Sequence, residues 1–254
     1  GYIAGTAITT GERNTILGYE ALDGGSTEVD DNTAIGFRAM TGAIGTEAVN
    51  DCVAIGSYAL YGALEQEASG TVAIGVTALA ALTSGAGNTA VGYNTGNANL
   101  TGVDNTYIGY NAGKLNTISY NTFIGKDAGE FATTSDSTTF IGAYAGQGIT
   151  GAKLTGNTNT AVGYNAGLLL QGAANANTLL GTGAGDVITT GTNNTVLGKS
   201  ADTDDATATN QTVIGYDAQG VADNSVTLGD GNVTAVYMSD DSGATVYGRK
   251  PQWV

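Results

Sequence analysis

A five-residue group recurs along the chain in the order polar, β-branched, variable, aliphatic, glycine. It opens as Asn14-Thr15-Ile16-Leu17-Gly18, Asn32-Thr33-Ala34-Ile35-Gly36, Cys52-Val53-Ala54-Ile55-Gly56 and Thr71-Val72-Ala73-Ile74-Gly75. It continues as Asn88-Thr89-Ala90-Val91-Gly92, Asn105-Thr106-Tyr107-Ile108-Gly109, Asn121-Thr122-Phe123-Ile124-Gly125, Thr138-Thr139-Phe140-Ile141-Gly142 and Asn159-Thr160-Ala161-Val162-Gly163. Asn177-Thr178-Leu179-Leu180-Gly181, Asn194-Thr195-Val196-Leu197-Gly198, Gln211-Thr212-Val213-Ile214-Gly215 and the divergent Ser225-Val226-Thr227-Leu228-Gly229 complete it. Gly1-Tyr2-Ile3-Ala4-Gly5 matches the tail of the same unit, so a fourteenth coil is expected, with more chain before it. Regular self-similarity at this period is the mark of a stacked repeat rather than a globule.

Side chains of a strand alternate between its faces, so the second and fourth positions share one face. The second is always Thr or Val and the fourth always Ile, Val or Leu, and this constant pair is read as the buried face. The predicted core ladder is therefore Leu17, Ile35, Ile55, Ile74, Val91, Ile108, Ile124, Ile141, Val162, Leu180, Leu197, Ile214 and Leu228. The third position varies from Ala to Tyr and is expected on the surface or at a subunit contact. The glycine ends each strand at a sharp turn, and the Ala three residues later, as at Ala21, Ala39, Ala112 and Ala166, implies close backbone approach.

A weaker apolar mark precedes the unit at Ile8, Leu82, Leu100, Leu115, Leu154 and Ile188, which predicts a second short strand per coil. The expected fold is all-β: a parallel β-roll or β-helix solenoid of about fourteen coils over residues 1–232, about 65 Å long at ~4.8 Å per coil. Residues 233–254 leave the period and read as a terminal hairpin cap, with Trp253 able to cover the last coil. A roll this lean is marginal alone, and three chains side by side would cover its exposed face and edges.

Composition narrows the function. There are 23 acidic residues against 8 basic ones, a formal charge of −15, which removes the footing for phosphate-backbone binding. Histidine is absent, which excludes Ser-His and Cys-His catalysis, and the single Cys52 cannot form an intrachain disulfide. No apolar run approaches the roughly 18 residues that span a bilayer.

The units at residues 52–56 and 71–75 resemble the head repeats of trimeric autotransporter adhesins, with their Ser-Val-Ala-Ile-Gly strands. Longer ones such as Asn159-Thr160-Ala161-Val162-Gly163-Tyr164-Asn165-Ala166-Gly167 resemble the repeat shafts of bacteriophage tail fibres. The resemblance covers residues 1 to about 232 and implies a trimeric, left-handed parallel β-roll in a virion tail or at a cell surface. The adhesin repeat is shorter, and neither a coiled-coil stalk nor a membrane anchor is seen.

Candidate sites each carry a plainer reading. An aromatic follows the glycine at Tyr19, Phe37, Tyr93, Tyr110, Tyr164 and Tyr216, with Tyr2 in the partial coil. Such a column could stack on sugars, but rings covering the turn or a subunit interface are favoured. The Asn column is read as a hydrogen-bonded ladder. Asp202, Asp204 and Asp205, and the pair Asp30 and Asp31, are of calcium-binding type but are read as solvated loops. Glu65 and Glu67 are the closest-spaced glutamates for a glycosidase pair, without further support. Cys52 reads as a small semi-buried residue rather than a reactive thiol.

The expectation is a non-enzymatic fibre or adhesin shaft without cofactor or metal. It partners itself as a homotrimer and other fibre or tail proteins, with host-surface carbohydrate or protein as candidate receptor and neither nucleic acid nor inserted membrane. A bacterial surface adhesin is the alternative. An ice- or mineral-binding solenoid ranks third, because the regular Thr column is placed inward.

Overall fold

The computed structural model describes residues 1–24, 29–42, 49–65 and 68–236. Positions two to four of each unit form a three-residue strand: β1 (Thr15–Leu17), β2 (Thr33–Ile35), β3 (Val53–Ile55), β4 (Val72–Ile74), β5 (Thr89–Val91), β6 (Thr106–Ile108), β7 (Thr122–Ile124), β8 (Thr139–Ile141), β9 (Thr160–Val162), β10 (Thr178–Leu180), β11 (Thr195–Leu197), β12 (Thr212–Ile214) and β13 (Val226–Leu228). Each pairs in parallel with the next, giving one 13-stranded sheet in sequence order. Register follows the repeat, with Thr106 opposite Thr122 and Ile108 opposite Ile124. A coil is numbered below by its strand. Thirteen strands make about twelve turns rather than fourteen, with a rise of roughly 58 Å at ~4.8 Å per step. The described residues contain no α-helix.

Two kinds of backbone bond tie the coils. The second-position N–H donates to the first-position carbonyl of the next coil, as Thr106 to Asn121 at 2.8 Å, and the strand glycine donates back to the preceding aliphatic, as Gly109 to Val91 at 2.8 Å. The glycines form a column of their own. Gly36 and Gly109 have φ of 138° and 129°. A Cβ on Gly36 would lie 2.6 Å from the carbonyl oxygen of Gly56, and one on Gly109 2.6 Å from that of Gly125. Neither the conformation nor the space admits a side chain.

The alternation along each strand is as expected, but its phase is reversed. The first and third positions point inward: Asn105, Tyr107, Asn121, Phe123 and Phe140 are buried, as are Ala34, Ala54, Ala73, Ala90, Ala161, Leu179, Val196 and Val213. The predicted ladder faces outward. Leu17, Ile108, Leu180, Leu197, Ile214 and Leu228 are exposed, and Ile35, Ile55, Ile74, Val91, Ile124, Ile141 and Val162 are half-buried. The third position can vary inside the roll because its size is matched elsewhere in the coil.

That match lies six residues on, at the fourth residue past the strand glycine. Where the third position is Ala34, Ala54 or Ala73, the partner is the buried Met40, Leu60 or Leu79. Where it is Tyr107, Phe123 or Phe140, the partner is Gly113, Gly129 or Gly146, and a Cβ at each would run into that ring. The corner is left-handed throughout, with φ of 55° at Met40, 52° at Leu60 and 59° at Gly129, so the larger residues accept strain to fill space. The three rings continue as a stack, Tyr107 to Phe123 at 5.8 Å and Phe123 to Phe140 at 5.2 Å between centroids. The Tyr107 hydroxyl donates to Asn116 Oδ1 at 2.8 Å, and burial pushes its pKa up.

The Asn column is the expected ladder. Asn105, Asn121, Thr138, Asn177, Asn194 and Gln211 each donate their backbone N–H to the Asn Oδ1 of the preceding coil, at 2.9–3.1 Å. Ala21, Ala39, Ala112 and Ala166 are buried, as the close approach requires. The second strand per coil is not formed. Its marks supply isolated parallel bridges such as Ala132 to Leu154 and Asn175 to Thr192. Leu82, Leu154 and Ile188 are buried there, whereas Leu100 is exposed. Residues 233–236 carry no strand, and the rest of the expected hairpin, with Trp253, lies outside the described residues.

Candidate interaction surface

With the phase reversed, one column of Thr or Val and one of Ile, Val or Leu run along the outside of all thirteen strands. No charged residue occupies either column. In-register pairing places each aliphatic beside its equivalents above and below, so the pattern is a continuous apolar strip beside a line of hydroxyls. Strips of this length are uncommon on a surface left to water.

The aromatic residues after the glycines turn their faces to one another. Tyr2, Tyr19 and Phe37 stack at 5.6 and 5.4 Å with planes within 14°, and Tyr93 stacks on Tyr110 at 5.1 Å. Tyr164 meets Tyr144 edge-on at 5.9 Å, and Lys199 sits over the Tyr216 ring at 5.6 Å. Rings stacked along the axis offer edges outward, and a sugar needs a face. Tyr58, Tyr61 and Tyr144 join these contacts. Tyr58 and Tyr144 escaped the sequence reading because they sit one residue later, at a left-handed corner with φ of 57° and 62°.

The acidic candidates are turned to separate partners. Asp30 accepts the Glu12 N–H at 2.6 Å, and Asp31 takes Arg13 in a two-pronged pair at 2.6 and 2.8 Å, which lowers its pKa. Asp205 accepts the Thr207 N–H at 2.7 Å and hydroxyl at 2.9 Å. Asp204 accepts the Gln211 side chain, while Asp202 is buried and faces the preceding coil. Among the described residues no three acidic, Cys or His side chains gather as a metal site. Glu67 lies outside the described residues, so its pairing with Glu65 is not described. Cys52 is fully buried, more so than expected, and burial pushes its thiol pKa up.

A polar network that the sequence reading missed crosses coils 6 to 8. Asn111 Nδ2 donates to Asp127 Oδ1 at 3.1 Å and Glu130 Oε1 at 3.5 Å, Lys114 reaches Glu130 at 3.3 Å, and Gln147 donates to Glu130 Oε2 at 3.1 Å. Lys114, Glu130 and Gln147 all stand five residues after their strand glycine, so reading by coil phase would have brought them together. The network is a side-chain counterpart of the backbone ladder. Comparisons of the chain with protein-family models, with curated proteins and with solved structures gave no match.

Proposed function

We propose that this chain is one strand of a homotrimeric, left-handed β-roll fibre, the shaft of a phage tail fibre or similar appendage at a virion tail or cell surface. It works mechanically, holding a binding end away from the particle, joined to other fibre or tail proteins and directed toward host-surface carbohydrate or protein. Residues 233–254 form its cap or lead into a further module. The observation that carries the reading is the uncharged outward strip along all thirteen strands. With the aliphatics facing outward, the fibre reading depends on other copies covering that strip.

The magnitudes favour a covered strip. Fully burying an aliphatic side chain is worth about 1.5–3 kcal/mol, and these side chains are already partly shielded. Covering what remains would contribute on the order of 1 kcal/mol each, or ~10 kcal/mol per chain. That is comparable with the ~4–15 kcal/mol entropic cost of association. Repetition makes the strip complementary to itself, which suits a cyclic assembly of identical chains.

Sedimentation velocity of the isolated chain at micromolar concentration tests the reading. Three chains of 25.2 kDa give about 76 kDa in an elongated particle; a stable folded monomer would overturn the trimer. A bacterial surface adhesin would share this geometry, and an outer-membrane anchor encoded with the chain would favour it over the phage fibre. The ice- or mineral-binding reading gains from the outward Thr column, which was its missing requirement. A monomer that shows thermal hysteresis in freezing solution would establish that reading instead.

A further inference from the structure

The corner between coils 10 and 11 departs from the rest of the roll. Elsewhere, the N–H of the sixth residue past a strand glycine donates to the carbonyl of the fifth residue in the next coil. Ala98 does so to Lys114 at 2.9 Å, Phe131 to Gln147 at 2.9 Å and Gly148 to Leu168 at 3.0 Å. By this rule Val187 should donate to the carbonyl of Thr203. It donates instead to the carboxylate Oδ2 of Asp202 at 3.1 Å, while Oδ1 of the same group accepts the Thr203 N–H at 2.9 Å. The Thr203 carbonyl is taken by the Gln219 side chain. A titratable side chain has replaced one rung of the backbone ladder.

Asp202 fills the corner position held by Leu or Met in coils 1 to 4 and by Gly in coils 5 to 10, and it is buried there. A second carboxyl, Asp186, acts on it from coil 10, both as a hydrogen-bond partner and as a like charge. No cation answers the pair. On coil 11, Lys199 is drawn over the Tyr216 ring and Asp204 is held by Gln211; coil 12 presents the amide of Gln219 and the exposed Asp217. Burial first, then Asp186, pushes the Asp202 carboxyl up to about 7, against the opposing pull of the two N–H bonds.

We propose that Asp186 and Asp202 form a proton-dependent latch, which closes the Val187 rung when the pair holds a proton and opens this corner when both carboxyls are ionised. Two buried like charges without a cation repel and draw in water, and the rung they support is the one that yields. The adjoining corners, closed by backbone carbonyls, do not titrate.

Hydrogen exchange read by mass spectrometry on the whole chain tests this, after correction for the intrinsic pH dependence of exchange. Protection of the segment containing Val187 should fall by about tenfold or more between pH 6 and pH 8.5, one pKa unit of coupling being a factor of ten. Protection around Phe131 and Gly148 should stay level. The transition should vanish in both Asp202→Asn and Asp186→Asn; the second variant leaves the rung's acceptor in place, which guards against a folding defect in the first. A wild-type segment whose protection ignores pH, or a transition that survives in either variant, would overturn the latch.

Discussion

Replacing Phe123 by Ala should cost the roll about 3–5 kcal/mol, toward the upper end, and most of that loss should be recoverable by one change six residues away. The ring is fully buried and stacked between Tyr107 and Phe140. Its loss therefore combines a cavity, at about 3–5 kcal/mol for a buried Phe, with aromatic contacts worth roughly 0.5–1.5 kcal/mol each. Gly129→Leu alone should also destabilise: its Cβ would lie 2.8 Å from Phe123 Cδ2 and 3.0 Å from Cγ, with a further ~1 kcal/mol for a left-handed non-glycine. Together the two changes rebuild the Ala54 and Leu60 arrangement of coil 3, where Leu60 holds a φ of 52° against 59° at Gly129. Denaturant midpoints by circular dichroism, at fixed chain concentration and pH, should show a double variant at least ~2 kcal/mol more stable than the sum of the singles predicts. Additive losses, within ~0.5 kcal/mol, would refute the idea that strand and corner share one volume.

Gly109→Ala should destabilise by about 2–4 kcal/mol, read as a thermal shift, since it combines a backbone clash with a forbidden φ. Asn121→Ala removes the acceptor of the Thr138 N–H and the donor to Asn105 Oδ1; a loss of about 2–4 kcal/mol is expected, with exchange protection at Thr138 falling first. Ala176, at φ 54°, should gain roughly 0.5–1 kcal/mol on replacement by Gly, measured by denaturant midpoint. Because the folded state keeps the Asp202 proton up to about pH 7 while the unfolded chain releases it near 3.8, stability should fall as pH rises across that window. Urea midpoints at pH 5 and 8 should show that slope in the wild type and its loss in Asp202→Asn.

The period, the parallel register, the glycine turns and the Asn ladder were legible because each depends on residue type repeated at one phase. The direction of the strand faces was not. Alternation fixes which positions share a face but is silent about which face is inside, and the constant aliphatic was taken as core by analogy with a globule. In a roll this thin, the inward site can range from Ala73 to Phe123 because Leu79 or Gly129 compensates in the same coil. The six-residue covariation was present in the sequence all along, whereas the outward strip stays uniform, as a surface meeting equivalent surfaces must. Asp202 was noticed as a possible cation ligand, but only the coil geometry shows it standing in for a carbonyl.

The outward strip is tested most directly by charging its centre and weighing the particle. Ile108→Glu with Ile124→Glu leaves the buried Tyr107 and Phe123 untouched and places like charges where copies would meet. Sedimentation equilibrium should give about 76 kDa for the wild-type chain and the 25.2 kDa of one chain for the double variant, with the β-sheet circular dichroism of the two alike. An assembly of unchanged mass in the charged variant would place the interface on another face and contradict the account.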